Sequence, residues 1–161
     1  MNFESQKATE VLKGGGIVIF PTDTVFGIGC RIDRPESVER LFNLRKRPLT
    51  QATPVLVSSK DMALAYLDSP SDIVRRLTEQ YWPGALTIIS PCKIDVIHSP
   101  IRGGGNTIGL RMPNYPDLLK VIEQVGVPIL GPSANFHGEK TPTKIDELSQ
   151  KLVILVDYVM P

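Results

Sequence analysis

The chain has 161 residues, enough for one domain with a full hydrophobic core, and its 42% hydrophobic and 22% charged content is that of ordinary soluble proteins. Its 18 Lys and Arg against 17 Asp and Glu leave a net charge of +1, which argues against a protein held on nucleic acid by bulk charge. No apolar stretch nears the roughly 20 residues that cross a bilayer, and residues 1–13 lack the apolar core of a signal peptide. The two cysteines, Cys30 and Cys92, are too few for a disulfide framework and share no metal-ligand spacing. A cytoplasmic protein with no membrane contact, both thiols reduced and buried, is expected.

The first predicted helix covers residues 4–13, with Ala8, Val11 and Leu12 on one face and Gly14 as its stop. Ile17, Val18, Ile19 and Phe20 form a short apolar run that reads as a strand buried on both faces. Pro21 has no N–H and ends the ladder, which places Thr22, Asp23 and Thr24 at the strand's C-terminal edge, where open α/β sheets hold ligands. The chain then resumes an extended course over 25–30, and Gly27 and Gly29 there permit close approach of a backbone or a ligand. Pro35 opens a second helix whose stripe of Val38, Leu41, Phe42 and Leu44 runs to Arg45.

A strand over 54–57 follows, then a helix capped by Ser59 that covers Met62, Leu64, Ala65 and Leu67. The next helix spans 72–80 with Ile73, Val74 and Leu77 inward, and Trp82-Pro83-Gly84 turns into a strand over 85–90. An irregular loop over 94–105 leads to a strand over 107–112, a helix over 116–125 and a strand over 127–130. A loop over 136–142, a helix over 144–150 and a strand over 153–156 complete the reading. No helix separates the strands at 85–90 and 107–112, so the sheet is expected to be mixed parallel and antiparallel within a single α/β domain.

No standard catalytic constellation can be assembled. The two histidines, His98 and His137, fall in predicted loops, and there is no H-E-x-x-H, G-x-S-x-G, G-x-G-x-x-G or phosphate-binding P-loop. What remains is a set of hydroxyls, amides and cations at strand and helix ends: Thr22, Thr24, Arg45, Lys46, Arg47, Thr107, Arg111, Ser133, Asn135 and Thr141. Such a set grips polyanionic and zwitterionic ligands, and it suits nucleotidyl transfer, where catalysis is largely positioning and charge neutralisation. Arg31, Arg34, Arg40, Arg45, Lys46 and Arg47 outnumber Asp33, Glu36 and Glu39 in their segment, a local excess that suits a phosphate-bearing partner. Each group also has a structural reading: the threonines as turn bonds, the basic run as a helix C-terminus, Ser133 and Asn135 as turn residues.

Five segments, taken together, carry a resemblance. P-T-D-T-V-F-G-I-G at 21–29, the basic triplet and proline at 45–48, W-P-G-A-L-T at 82–87, T-I-G-L-R-M-P at 107–113 and P-S-A-N with a following glycine at 132–138 resemble, in order, the threonylcarbamoyl-AMP synthases of the YrdC-like family. The resemblance extends over residues 5–157 and implies a twisted mixed sheet, flanked by helices, around a basic cavity. It implies condensation of L-threonine, bicarbonate or CO2, and ATP with Mg2+ into threonylcarbamoyl-AMP and pyrophosphate. A tRNA threonylcarbamoyl-transfer complex then modifies the adenosine next to the anticodon.

Carried over by position, Thr24, Arg111 and Gly131 hold L-threonine, and Arg45, Arg47, Thr107, Ser133, Asn135 and Thr141 hold ATP, with no catalytic side chain and no protein metal site. This chain departs from the family pattern at Arg45 (usually Lys), Leu56 (often His) and Phe136-His137-Gly138, and its residue at the family's polar or basic position four places after Arg47 is the neutral Gln51. It also stops before the family's last C-terminal segment, whose groups help close the pocket, so the resemblance also allows binding without efficient turnover. The competing reading is a non-catalytic module of the same fold that binds tRNA or rRNA, which adds tRNA or double-stranded RNA to the expected partners. A carbamoyl-handling domain like that of hydrogenase maturation is a third.

Overall fold

In the computed structural model, which describes residues 2–161, Ile17, Val18, Ile19 and Phe20 are all completely buried. Side chains alternate across a strand. Val18 and Phe20 therefore enter one apolar cluster, while Ile17 and Ile19 enter the other. Strand β1 (Val18–Phe20) pairs antiparallel with β2 (Gly27–Gly29). A second sheet holds β3 (Val55–Leu56), β4 (Ile88–Pro91), β5 (Thr107–Arg111) and β6 (Ile129–Leu130) in the order β4-β5-β3-β6, with β3 and β5 parallel and the other pairs antiparallel. Leu130 N–H donates to Cys30 O (2.8 Å), Ile28 N–H to Pro132 O (2.9 Å) and Ala134 N–H to Phe26 O (2.8 Å), so β2 and the β6 segment stitch the two sheets together. The expected mixed sheet is present.

Glycine makes that seam possible. A Cβ on Gly29 would lie 2.0 Å from Leu130 O, and one on Gly27 would lie 2.6 Å from the Phe20 ring. Both glycines therefore admit cross-strand packing, and the space beside each is filled by protein.

Helices α1 (Phe3–Lys13) and α5 (Pro116–Val125) cover the face that carries Val18, Phe20, Leu56 and Ile129. Residues of α2 (Pro35–Leu44), α3 (Lys60–Tyr66), α4 (Asp72–Tyr81) and α6 (Gln150–Val153) join the other cluster. Ser59 Oγ caps α3 by accepting from Met62 N–H, as its sequence position implies. Cys30 and Cys92 are buried free thiols, and burial pushes Cys30 up to about 12. Among the described residues no helix is long and apolar enough to cross a membrane.

Several expectations shift. Ile73 is 63% exposed, so the inward face of α4 is carried by Val74, Leu77 and the buried Thr78. In α3 the fully buried residue is Ala63, and Leu67 falls just past the helix end. Ser99–Arg102 forms a 3-10 turn inside the expected loop. The helix expected over 144–150 is a 3-10 turn (Ile145–Glu147) followed by α6, and the strand expected over 153–156 is the end of α6 and a turn, with Ile154 78% exposed.

The pairing strand is β7 (Tyr158–Val159), parallel to β1. The open edge of β1 decides this: Ile17 O accepts from Asp157 N–H (2.9 Å), Ile19 O accepts from Met160 N–H (2.8 Å), and Asp157 Oδ2 accepts from Ile17 N–H (2.7 Å). Arg40 of α2 donates two bonds to the same carboxylate (2.6 and 3.1 Å) and holds it below the usual carboxylate range. A group whose folded value is depressed stabilises above its unfolded value and loses that contribution as pH falls through the folded one. The stability gap between the wild type and Asp157→Asn is therefore expected to narrow on acidification below the ordinary carboxylate range. Denaturant titrations at neutral and acid pH measure it, and a pH-independent gap contradicts the assignment.

Candidate functional site

Pro21 ends β1, and the turn that follows is held by Thr22. Its Oγ1 accepts from Thr24 N–H (3.1 Å) and Val25 N–H (3.2 Å) and donates to Val25 O (2.7 Å). Thr22 is thus spent within the turn, its hydroxyl also 3.1 Å from Thr24 Oγ1, and the turn offers the side chains of Asp23 and Thr24.

Arg111, at the end of β5, meets both. Its Nη1 donates to Thr24 Oγ1 (3.0 Å), its Nη2 to Asp23 Oδ1 (2.5 Å) and its Nε to Gly84 O (3.0 Å). Gly84 is itself tied to the end of β5 by its N–H to Met112 O (2.8 Å). Three of the five segments singled out by sequence meet at this one guanidinium. β5 and the β1–β2 turn are separated by β3, β6 and β2 in the stitched sheet, so the contact requires the sheet to curl.

The period of β5 sets the rest of the floor. Ile108 and Leu110 are buried, while Thr107, Gly109 and Arg111 face the opposite way, separated by about 7 Å steps. A hydroxyl, a bare backbone and a guanidinium therefore stand in a row about 13 Å long. Beside Thr107 and Gly109 lies a cavity of about 350 Å³, walled also by Ala52, Thr53, Thr87 and Ile89.

The basic triplet is divided by a backbone reversal. Lys46 adopts a left-handed conformation (φ 55°), with its ammonium 5.4 Å from the centre of the Phe136 ring. Arg45 turns inward to 3% exposure, and Arg47 turns to the other side, where Nε donates to Gln51 O (3.2 Å) and Nη2 to Ala52 O beside the cavity. Arg45 Nε donates to Asn135 O (3.0 Å), and Arg45 O accepts from His137 N–H (2.9 Å). Arg45, expected on a nucleotide, thus lies beneath the 133–135 loop and holds it.

Burial, then the Arg47 charge, lower Arg45 to about 10, and burial lowers Arg47 as well. Neither arginine forms an ion pair with any described carboxylate, and Arg45 Nη1, Asn135 Oδ1 and Thr53 Oγ1 are buried without a hydrogen-bond partner. Buried cations are normally paired, so this half of the site carries unpaired positive charge and buried polar groups, donor and acceptor alike, with unused capacity.

Ser133 pairs through its backbone with Gly27, and Phe26 N–H donates to Pro142 O (2.9 Å), which brings Ser133 and Thr141 to the same end of β2, next to the Thr24 turn. Asn135 Nδ2 is committed to Phe136 O and Glu139 O (both 2.9 Å). Gly131 N–H donates to Pro54 O (2.9 Å), and a Cβ there would lie 2.3 Å from Leu56 Cγ. Leu56 therefore belongs to the core beneath Gly131. Sequence reasoning left Asp23, Thr53 and the Gly84 carbonyl without roles. The only signal for Asp23 was a carboxylate between two threonines at a strand end.

Comparison with known proteins follows the same lines. A family model for the Sua5, YciO and YrdC domain, described as telomere recombination, matches residues 10–161. A threonylcarbamoyl-AMP synthase of Bacillus subtilis is 34% identical over 148 residues, 91% of this chain and 42% of that protein. One from Photobacterium profundum is 31% identical over 150 residues, 91% of this chain and 80% of that protein. The crystal structure of Pyrococcus abyssi Sua5 complexed with L-threonine superposes with a TM-score of 0.92 at 28% identity, covering 96% of this chain and 45% of that one. The chain thus spans less than half the length of the Bacillus and Pyrococcus proteins it matches.

Proposed function

The chain belongs to the Sua5, YciO and YrdC family, and we propose that it is a threonylcarbamoyl-AMP synthase that condenses L-threonine, bicarbonate or CO2, and ATP. The observation that carries this reading is the polarity of the β5 floor. One end is the Arg111–Thr24 pair, suited to an amino acid's carboxylate and hydroxyl; the other is the cavity wall at Ala52, whose carbonyl accepts from Arg47, and with the buried Arg45 that half has cationic charge no described carboxylate pairs with. The carboxylate of L-threonine would take Arg111, with Thr24 beside it and the Gly131 backbone behind. ATP would lie toward Thr107, its phosphates against Arg47 and Ser133, with Thr141 and the Asn135 loop enclosing it. Arg45 would serve through that loop and through its free Nη1.

The chemistry asks little of the protein beyond position. Threonine's amine and bicarbonate give a carbamate and water. A carbamate oxygen then attacks the α-phosphorus of ATP in line, and pyrophosphate leaves. Since the substrate supplies the nucleophile, the missing triad is no obstacle, and fixed cations where charge develops supply stabilisation. Mg2+ would enter with ATP. Among the described residues no group of three or more His, Cys, Asp or Glu is placed to hold a metal, and Mg2+ ordinarily relies on substrate phosphates. The product would pass to a complex that transfers the threonylcarbamoyl group to tRNA.

Pyrophosphate release tests the reading. It is expected to require ATP, L-threonine and bicarbonate together, and release indifferent to threonine contradicts it. Arg45→Met separates Arg45's two roles. Relief of a buried, unpaired cation is expected to offset part of the cost of leaving Asn135 O without its donor, for a net loss of about 1–2 kcal/mol of folding stability, while ATP affinity falls about tenfold with loss of the charge. Thermal melts and calorimetry measure both. A large stability loss with unchanged ATP affinity would make Arg45 purely structural.

A further inference from the structure

Asp23 has no role in the reading above, and the geometry assigns it one. Its side chain is 18% exposed, and among the described residues its one ion pair is to Arg111, itself 13% exposed. Arg111 has five N–H donors. Gly84 O, Thr24 Oγ1 and Asp23 Oδ1 take three of them, which leaves one on each terminal nitrogen for an incoming carboxylate. On the other partner, the Arg111 bond occupies Oδ1, and among the described residues nothing donates to Asp23 Oδ2.

A cation and an anion thus stand side by side, each with unused capacity. A free α-amino acid is complementary to that couple, because its carboxylate and ammonium are one carbon apart. A carboxylic acid without the amine would meet Asp23 as a like charge, so the same carboxylate that attracts the right ligand repels the wrong one.

We propose that Asp23 is a specificity-determining binding residue, which with Arg111 reads the zwitterion of a free α-amino acid, Arg111 taking the carboxylate and Asp23 the α-ammonium. This inference rests on the reading of the pocket as the L-threonine site and deepens it. The competing role is orientation of Arg111 alone.

Calorimetry on the full chain separates them, with L-threonine and its analogue bearing a hydroxyl in place of the α-amino group. Asp23→Asn is expected to weaken L-threonine binding about tenfold while the analogue binds as well as before or better. Asp23→Glu, which keeps the charge, is expected to weaken L-threonine less than Asp23→Asn does. Thermal melts establish that both variants are folded, and if Asp23→Asn is not, the comparison passes to Asp23→Glu, where threonine must lose more affinity than the analogue. Unchanged threonine affinity, or a parallel loss for both ligands, overturns the proposal. A wild type that binds ATP but not L-threonine overturns the underlying reading instead.

Discussion

Arg111→Ala is expected to weaken L-threonine binding by on the order of a hundredfold while ATP affinity stays within about threefold. The side chain gathers Gly84, Thr24 and Asp23 around one planar group, and its loss removes the cation for the substrate carboxylate. It also leaves the Asp23 carboxylate without its ion-pair partner, which at this solvent-accessible position is expected to cost less than about 1 kcal/mol of folding stability. Arg111→Lys keeps the charge but cannot span three acceptors in one plane, so it is expected to fall between. Titration calorimetry with each ligand, alongside thermal melts, measures these effects. Unchanged threonine affinity in the alanine variant would remove Arg111 from the amino-acid site.

The second large effect is on the fold. Gly29→Ala places a methyl group 2.0 Å from Leu130 O and 3.0 Å from the Phe20 ring, where β2 joins the two sheets. A carbonyl oxygen held in a ladder cannot rotate aside as a side-chain end can, so the strands must part. The expected loss is about 3 kcal/mol or more, which lowers the melting temperature by roughly 10 °C in a domain of this size. Gly14→Ala is the control: a Cβ there finds only ordinary contacts, at 3.4 Å or beyond, and the backbone is right-handed (φ −71°). It is expected to change stability by less than about 1 kcal/mol. A tolerant Gly29 would mean that the seam between the sheets is not rigid.

Local sequence carried much of this protein. The buried Ile17 to Phe20 run, the Pro21 stop, the Ser59 cap, the proline-led helices and the alternation that puts Thr107, Gly109 and Arg111 on one face all follow from nearest-neighbour chemistry. The same was true of the mixed sheet, legible in the absence of a helix between β4 and β5. Misreadings arose where partners distant in sequence decide. Residues 153–156 have strand-like composition, yet the free edge of β1 and the Arg40–Asp157 pair draw in residues 157–160 instead.

The division is sharpest at the site. The chain's own order announces which groups are available, because proline stops, strand periods and helix ends expose them at predictable places. Their partnerships belong to the folded state alone: Asp23 lies 88 residues from Arg111, and Arg45 lies 90 from Asn135. Such pairs form only when a curled sheet and a left-handed Lys46 close the distance. Burial then decides which guanidinium supports the loop and which one is tied to Ala52 at the cavity wall.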